Sequence, residues 1–287
     1  MSKKGLKTPL RYPGGKSRAC TKMGQFFPDL REYIEYREPF LGGGSVAIHV
    51  TKLYPHLKIT VNDLYEPLIN FWSNLQMFGT ELYTELKNLK IAHCNQDSAR
   101  CLFDVMKETV NDKTKTDLDR AVAFYVVNKC SFSGLTESSS FSAQASDSNF
   151  SMRGIEKLLG YQEIISNWHI NQYSYEYCFR TDIHDGLFMY LDPPYDIKDN
   201  LYGKKGAMHK SFDHDKFAED CDEHNNIKML ISYNSDQLVK DRFKNWTAGE
   251  FDLTYTMRSV GDYMSDQQKR KELLLFNYKL SEVTVDG

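Results

Sequence analysis

Four consecutive residues, Asp192-Pro193-Pro194-Tyr195, close an apolar run, Leu187-Phe188-Met189-Tyr190-Leu191, that begins after Gly186. The run reads as a buried strand, stopped by the proline pair. Such a strand delivers a carboxylate, two rigid residues and an aromatic face to a sheet edge. The chemistry this suits is the holding of a flat, amine-bearing ring. Asp192 can accept a hydrogen bond from the amine, and proline, having no backbone N–H, leaves nearby carbonyls free as further acceptors. Tyr195 offers a face for stacking. A plain strand-ending turn is the competing reading of the same residues.

A second constellation is Glu38-Pro39-Phe40-Leu41-Gly42-Gly43-Gly44-Ser45, between a candidate strand and a candidate helix. Glycines there let the backbone approach a ligand and take positive φ. The spacing is neither GxGxxG nor a P-loop, so a dinucleotide or a triphosphate is not indicated. Asp63 follows about twenty residues on, where nucleotide-binding α/β folds place an acid for ribose hydroxyls. A nucleoside ligand without pyrophosphate fits both features; a structural turn with Asp63 capping a helix ahead of Glu66 fits them too. A further glycine pair, Tyr12-Pro13-Gly14-Gly15-Lys16, reads either as a surface turn or as a flap laying Tyr12 and Lys16 against a ligand.

The elements that must position these residues alternate. Strands fit Tyr33 to Phe40, Ile59 to Asn62, Trp168 to Tyr173, Leu187 to Leu191, Lys228 to Tyr233, Glu250 to Thr256 and Glu272 to Tyr278. Helices fit Ser45 to Leu53, a segment from about Glu66, and stretches near 155–166, 213–224 and 235–243. Interleaved strands and helices predict an α/β, Rossmann-like, mostly parallel sheet covered on both faces. Residues 80–130 carry helix-period apolar positions (Leu82, Leu86, Leu89; Leu102, Val105, Met106; Leu118, Ala121, Val122, Tyr125, Val126), a helical insertion. Residues 131–153 are serine-rich and read as a long loop. The division expected is a sheet domain of residues 1–78 and 168–287 around a helical insertion of residues 79–167.

Composition narrows the class. The chain has 287 residues, 41% of them hydrophobic, and no stretch of transmembrane length. The basic N-terminus lacks the apolar region of a secretory signal. Six cysteines without metal or disulfide spacing suggest reduced thiols and a cytoplasmic setting, and eight scattered histidines form no metal-spaced set. Net charge is −3, yet residues 1–22 hold seven Lys/Arg and no acid, and Lys198, Lys204, Lys205, His209 and Lys210 follow the Asp192 motif. Lys269-Arg270-Lys271 forms a third cluster. Solvated faces account for such clusters singly; their adjacency to the motifs favours a phosphate-facing surface.

Taken together, Tyr12–Lys16, Glu38–Ser45, Asn62-Asp63 and Asp192–Tyr195, with Lys271-Glu272-Leu273-Leu274 and Asn277-Tyr278 near the end, resemble the DNA adenine methylase (Dam-like, D12-class) family of S-adenosylmethionine-dependent N6-adenine DNA methyltransferases. The motif order is that of the α-group, and the resemblance spans nearly the whole chain. It implies that Tyr12, Lys16, Phe40, Gly42, Gly43, Gly44, Ser45 and Asp63 contact S-adenosylmethionine, with Glu176 the candidate for the cofactor adenine. It implies that Asp192, Pro193, Pro194 and Tyr195 are catalytic, that the insertion recognises the target, and that no metal is used. The substrate implied is double-stranded DNA, with a cognate restriction endonuclease as a compatible partner, in a bacterial or phage-infected cytoplasm.

One departure bears on specificity. GATC-reading members tend to carry Asn-Gly followed by an arginine in the insertion, whereas this chain has Ser133-Gly134-Leu135-Thr136-Glu137. Arginine is the usual bidentate reader of guanine; Lys129 and Arg153 are the residues of the insertion assigned to DNA, with Lys204, Lys205 and Lys210 beyond the catalytic motif. Other readings are a cytosine-N4 methyltransferase, whose tetrapeptide usually begins with Ser, an RNA adenine methylase, usually with Asn, and a non-catalytic DNA-binding module on the same fold.

Overall fold

The computed structural model describes residues 5–12, 14–134, 139–195, 212–253 and 270–280. In chain order the elements are α1 (Cys20–Met23), β1 (Glu35–Glu38), α2 (Ser45–Leu53), β2 (Lys58–Asn62), α3 (Glu66–Met77), α4 (Gly79–Ala92), α5 (Gln96–Thr109) and α6 (Asp117–Cys130). Then come α7 (Ala143–Ser148), α8 (Met152–Glu156), α9 (Leu158–Ile165), β3 (His169–Asn171), α10 (Tyr175–Arg180), β4 (Leu187–Leu191), α11 (His214–Glu223), β5 (Lys228–Asn234), α12 (Gln237–Arg242), β6 (Thr247–Leu253) and β7 (Arg270–Phe276).

The strands form one seven-stranded sheet in the order β3-β2-β1-β4-β5-β7-β6. The first five are parallel, and β7 runs antiparallel between β5 and β6. The Rossmann-like α/β expectation therefore holds. From β1 the chain winds outward through β2 and β3, then returns to place β4 against the other side of β1, with Tyr36 opposite Phe188. That reversal is a topological switch point, and ligands of open α/β sheets bind outside the carboxyl ends of the strands there. The Gly42–Gly44 turn leaves β1 and Asp192 leaves β4, so both motifs sit at this point. β4 is thus a central strand, not an edge strand, and its motif stands at the carboxyl end of the sheet.

All five residues of β4 are buried, as a strand covered on both faces requires. Its alternation divides two cores. Phe188 and Tyr190 join the core under α2, α3 and α6, while Leu187, Met189 and Leu191 pack with Phe179, Phe217, Cys221 and Val239 of α10, α11 and α12. Helix starts follow local capping: Thr116 and Asp119 form a reciprocal box at α6, Asn95 caps α5, and Pro67 stands in the first turn of α3.

Residues 80–130 are helical, as expected, in α4, α5 and α6. The serine-rich stretch differs from the expected loop: it holds a 3-10 turn at Phe132–Gly134 and helices α7 and α8. Ser142 and Ser151 are the reason, since each side chain accepts a backbone N–H as an N-cap. Helix α6 packs on α3 and α5, and Arg120, 3% exposed, reaches across to Glu66 of α3. Among the described residues no helix is long and apolar enough to cross a membrane.

Candidate active site

A cleft of about 620 Å³ opens at the switch point. It is lined by Tyr12, Gly14–Lys16, Glu38–Val46, Asp63, Leu64, Tyr173–Glu176, Asp192, Pro194, Tyr195 and three residues around the start of α11. Every residue expected to bind the cofactor faces it, as do Asp192, Pro194 and Tyr195; Pro193 is buried and is not part of the lining.

The glycine turn is built for close approach. Gly42 and Gly44 have φ of +48° and +64°, which an L side chain resists. A Cβ on Gly44 would lie 2.7 Å from the Trp72 ring, and one on Gly42 would lie 3.0 Å from Tyr12. The Asp63 carboxylate accepts the N–H of Gly42 (2.9 Å) and of Tyr65 (3.0 Å), tying the turn to the start of α3. Burial raises the Asp63 pKa, opposed by those backbone hydrogen bonds. Asp63 thus lines the cleft, but it is not the N-cap of α3: that position is Tyr65, and no side chain caps the helix. Asn62 braces the same edge, donating to the Pro39 and Tyr173 carbonyls and accepting the Tyr173 N–H.

The opposite wall is aromatic and acidic. Phe40 stacks on Tyr175 with ring centres 5.6 Å apart. Glu176 takes a hydrogen bond from Lys216 at one oxygen (3.3 Å), while its Oε2 is buried with no hydrogen-bond partner. A buried acceptor without a donor costs free energy unless a ligand supplies one.

The catalytic motif is held by a lysine. Lys16 Nζ donates to both Asp192 oxygens (2.9 Å each), to the Tyr195 hydroxyl (2.6 Å) and to the Gly14 carbonyl (3.0 Å). It also lies 3.3 Å from Glu272 Oε1 of β7. Lys16 thus lines the cleft as expected, but its ammonium is committed to Asp192 and Tyr195 rather than held out for a ligand. Burial pushes the Asp192 carboxyl up to about 6; Lys16 opposes the rise and Glu272 adds to it. Glu38, bonded by the Tyr36 hydroxyl at 2.6 Å, is raised well above the usual carboxylate range by burial.

Of the residues expected to meet DNA, neither Lys129 nor Arg153 lines the cleft. Arg153 is exposed on α8. Lys129 lies half-buried over the Tyr125 ring at 5.3 Å, and burial, with Arg11 and Lys157 nearby, lowers its pKa to about 7. Lys204, Lys205 and Lys210 fall outside the described residues. Sequence reasoning left Glu272 and Ser232 without a role; the available signal was an acid standing directly before the apolar run Leu273-Leu274-Leu275-Phe276.

Fold and cleft together define an α/β enzyme with a nucleoside-sized site at the switch point of its sheet and an acid beside it. The sequence pattern of the D12 class N6 adenine-specific DNA methyltransferases matches residues 12–257, and the chain belongs to that family. The type II methyltransferase M.CviBI of Paramecium bursaria Chlorella virus NC1A is 21% identical over 95% of this chain and 100% of its own length. The type II methyltransferase M1.LlaDCHI of Lactococcus lactis subsp. cremoris is 22% identical over 96% of this chain and 97% of its own. A DNA N-6-adenine-methyltransferase of Escherichia phage P1 is 28% identical over 44% of this chain and 15% of its own length.

Proposed function

We propose that this adenine-specific DNA methyltransferase holds S-adenosylmethionine along Gly42–Gly44 and a flipped target adenine against Asp192 and Tyr195. The observation that carries this reading is that the glycine turn and the Asp192 carboxylate line one cleft. The residues present fit the cofactor. Left-handed glycines admit its backbone approach, Asp63 lines the cleft with an acid that can receive ribose hydroxyls, and the unpartnered Glu176 Oε2 can accept from an adenine amine. When bound, S-adenosylmethionine supplies an electrophilic methyl group.

The protein's own residues supply the rest. A base inside a duplex cannot reach the cleft, so it must leave the stack, at a cost of a few kcal/mol. Stacking on Tyr195 returns roughly 1–3 kcal/mol of this. The exocyclic amine of adenine is a poor nucleophile because its lone pair is delocalised into the ring. Asp192 accepts an amine N–H and draws that lone pair out of conjugation. With its carboxyl near 6, Asp192 is mostly ionised at neutral pH and close enough to neutrality to take up the amine proton afterwards. Lys16 fixes both carboxylate oxygens, so the acceptor is preorganised.

The helical segment 79–167 is the target-recognition insertion in this reading, with Lys129 and Arg153 toward the DNA, and the basic segment containing Lys204, Lys205 and Lys210 contacts phosphate. The type II relatives support a restriction–modification setting in a bacterial or phage-infected cytoplasm. The test is Asp192→Ala, assayed by radiolabelled methyl transfer to DNA. Loss by orders of magnitude with retained S-adenosylmethionine affinity is expected; near-normal single-turnover rates would remove Asp192 from the chemistry.

A further inference from the structure

Glu272 is a buried acid of β7, 1% exposed, between Asn234 of β5 and Phe251 of β6 in register. A charge there is expensive unless it is fully hydrogen-bonded. Its Oε1 accepts the hydroxyl protons of Tyr195 and of Ser232 and sits 3.3 Å from Lys16 Nζ. Because the Tyr195 hydroxyl accepts from Lys16, its own proton must point to Glu272. The hydroxyl is therefore fixed from both sides, and with it the ring that would stack on the target base.

The charge count matters as well. One ammonium, Lys16, serves two carboxylates, Asp192 and Glu272. The trio carries one net negative charge when both acids are ionised. Methyl transfer carries positive charge from sulfur to the amine nitrogen held at Asp192. Negative charge behind that nitrogen stabilises the change, and preorganised charges in a closed site act most strongly.

We infer that Glu272 is a positioning residue for methyl transfer: it orients Tyr195 and shares Lys16 with Asp192, leaving the catalytic acid a stronger acceptor than a one-to-one ion pair would. The inference rests on the adenine reading of the cleft. Glu272→Gln keeps the shape and removes the second carboxylate charge at Lys16. Losing its like-charged neighbour, the Asp192 carboxyl then titrates lower.

The test is the single-turnover methylation rate of duplex DNA as a function of pH, for the full chain, with S-adenosylmethionine affinity measured by calorimetry. E272Q is expected to lose on the order of tenfold or more in plateau rate, to keep its cofactor affinity, and to move the acid limb to lower pH. Tyr195→Phe keeps the ring and the Glu272 charge but removes the hydroxyl held between Lys16 and Glu272, so it is expected to lose rate without the lowered acid limb of E272Q. A lowered acid limb confined to E272Q cannot arise from a merely structural role. An unmoved limb in E272Q, or an E272Q rate equal to wild type, would overturn the inference. Should E272Q not fold, a wild-type rate in Tyr195→Phe overturns it alone. Wild-type protein that forms no N6-methyladenine would instead sink the reading of the cleft itself.

Discussion

Replacing Lys16 with methionine removes a buried ammonium while keeping the length and volume of the side chain. In the wild type that ammonium lies 2.9 Å from both oxygens of Asp192, whose carboxyl is held at about 6. Loss of an opposite charge at such a distance raises a carboxyl by roughly one to three pH units. At pH 7 the wild-type acid is ionised about ten to one, whereas the variant's falls to between about one to one and one to a hundred. If ionised Asp192 is the acceptor of the amine, protonation alone lowers the rate at pH 7 by about twofold to a hundredfold. Raising the pH toward 9 then restores part of the rate. The assay is single-turnover methyl transfer between pH 5.5 and about 9, with circular dichroism at each pH to exclude unfolding. A variant whose acid limb lies at or below that of the wild type would refute the pairing as the control on Asp192.

Asp63→Asn keeps the size but weakens acceptance of the Gly42 and Tyr65 N–H groups; calorimetry is expected to show S-adenosylmethionine bound about tenfold or more weakly, and unchanged affinity would leave Asp63 a brace only. Gly44→Ala forces a side chain into left-handed backbone and against Trp72 at 2.7 Å, so chemical denaturation should register a loss of about 1–3 kcal/mol, and none would contradict the packing described. Asp192 binds its proton more tightly in the folded chain (about 6) than in the unfolded chain (3.8). Its contribution to stability is therefore present below about pH 4 and is lost as pH rises through about 6. Asp192→Asn should abolish that part of the pH dependence, about 2–3 kcal/mol, while abolishing activity; identical pH–stability curves for the two proteins would contradict the burial of the acid.

Much of the fold could be read from local chemistry. Helix α2 runs over Ser45–Leu53 and β4 over Leu187–Leu191 with the expected bounds. In each case a glycine or proline punctuates an apolar pattern of the right period. Strand ends elsewhere differ by a few residues, as at β6, which starts at Thr247 rather than Glu250. The short helices were hidden: α7 and α10 have six residues each, too few to establish a period, and serine marks caps as readily as loops. The chemistry of Lys16 was hidden for a different reason. Its partner Asp192 is 176 residues away and joins it only because β4 folds back beside β1. The contact of Tyr195 with Glu272, 77 residues apart, depends in the same way on β7 inserting antiparallel beside β5. Motif chemistry is local, whereas the charges that tune it arrive through topology.

The most direct measurement is a crystal structure of the protein with duplex DNA and a non-transferring analogue of S-adenosylmethionine. An unstacked adenine whose amine lies within hydrogen-bond reach of Asp192, beside a Tyr195 ring and facing an analogue seated along Gly42–Gly44, is the expected result. An adenine left in the duplex, or an analogue bound away from the glycine turn, would contradict it.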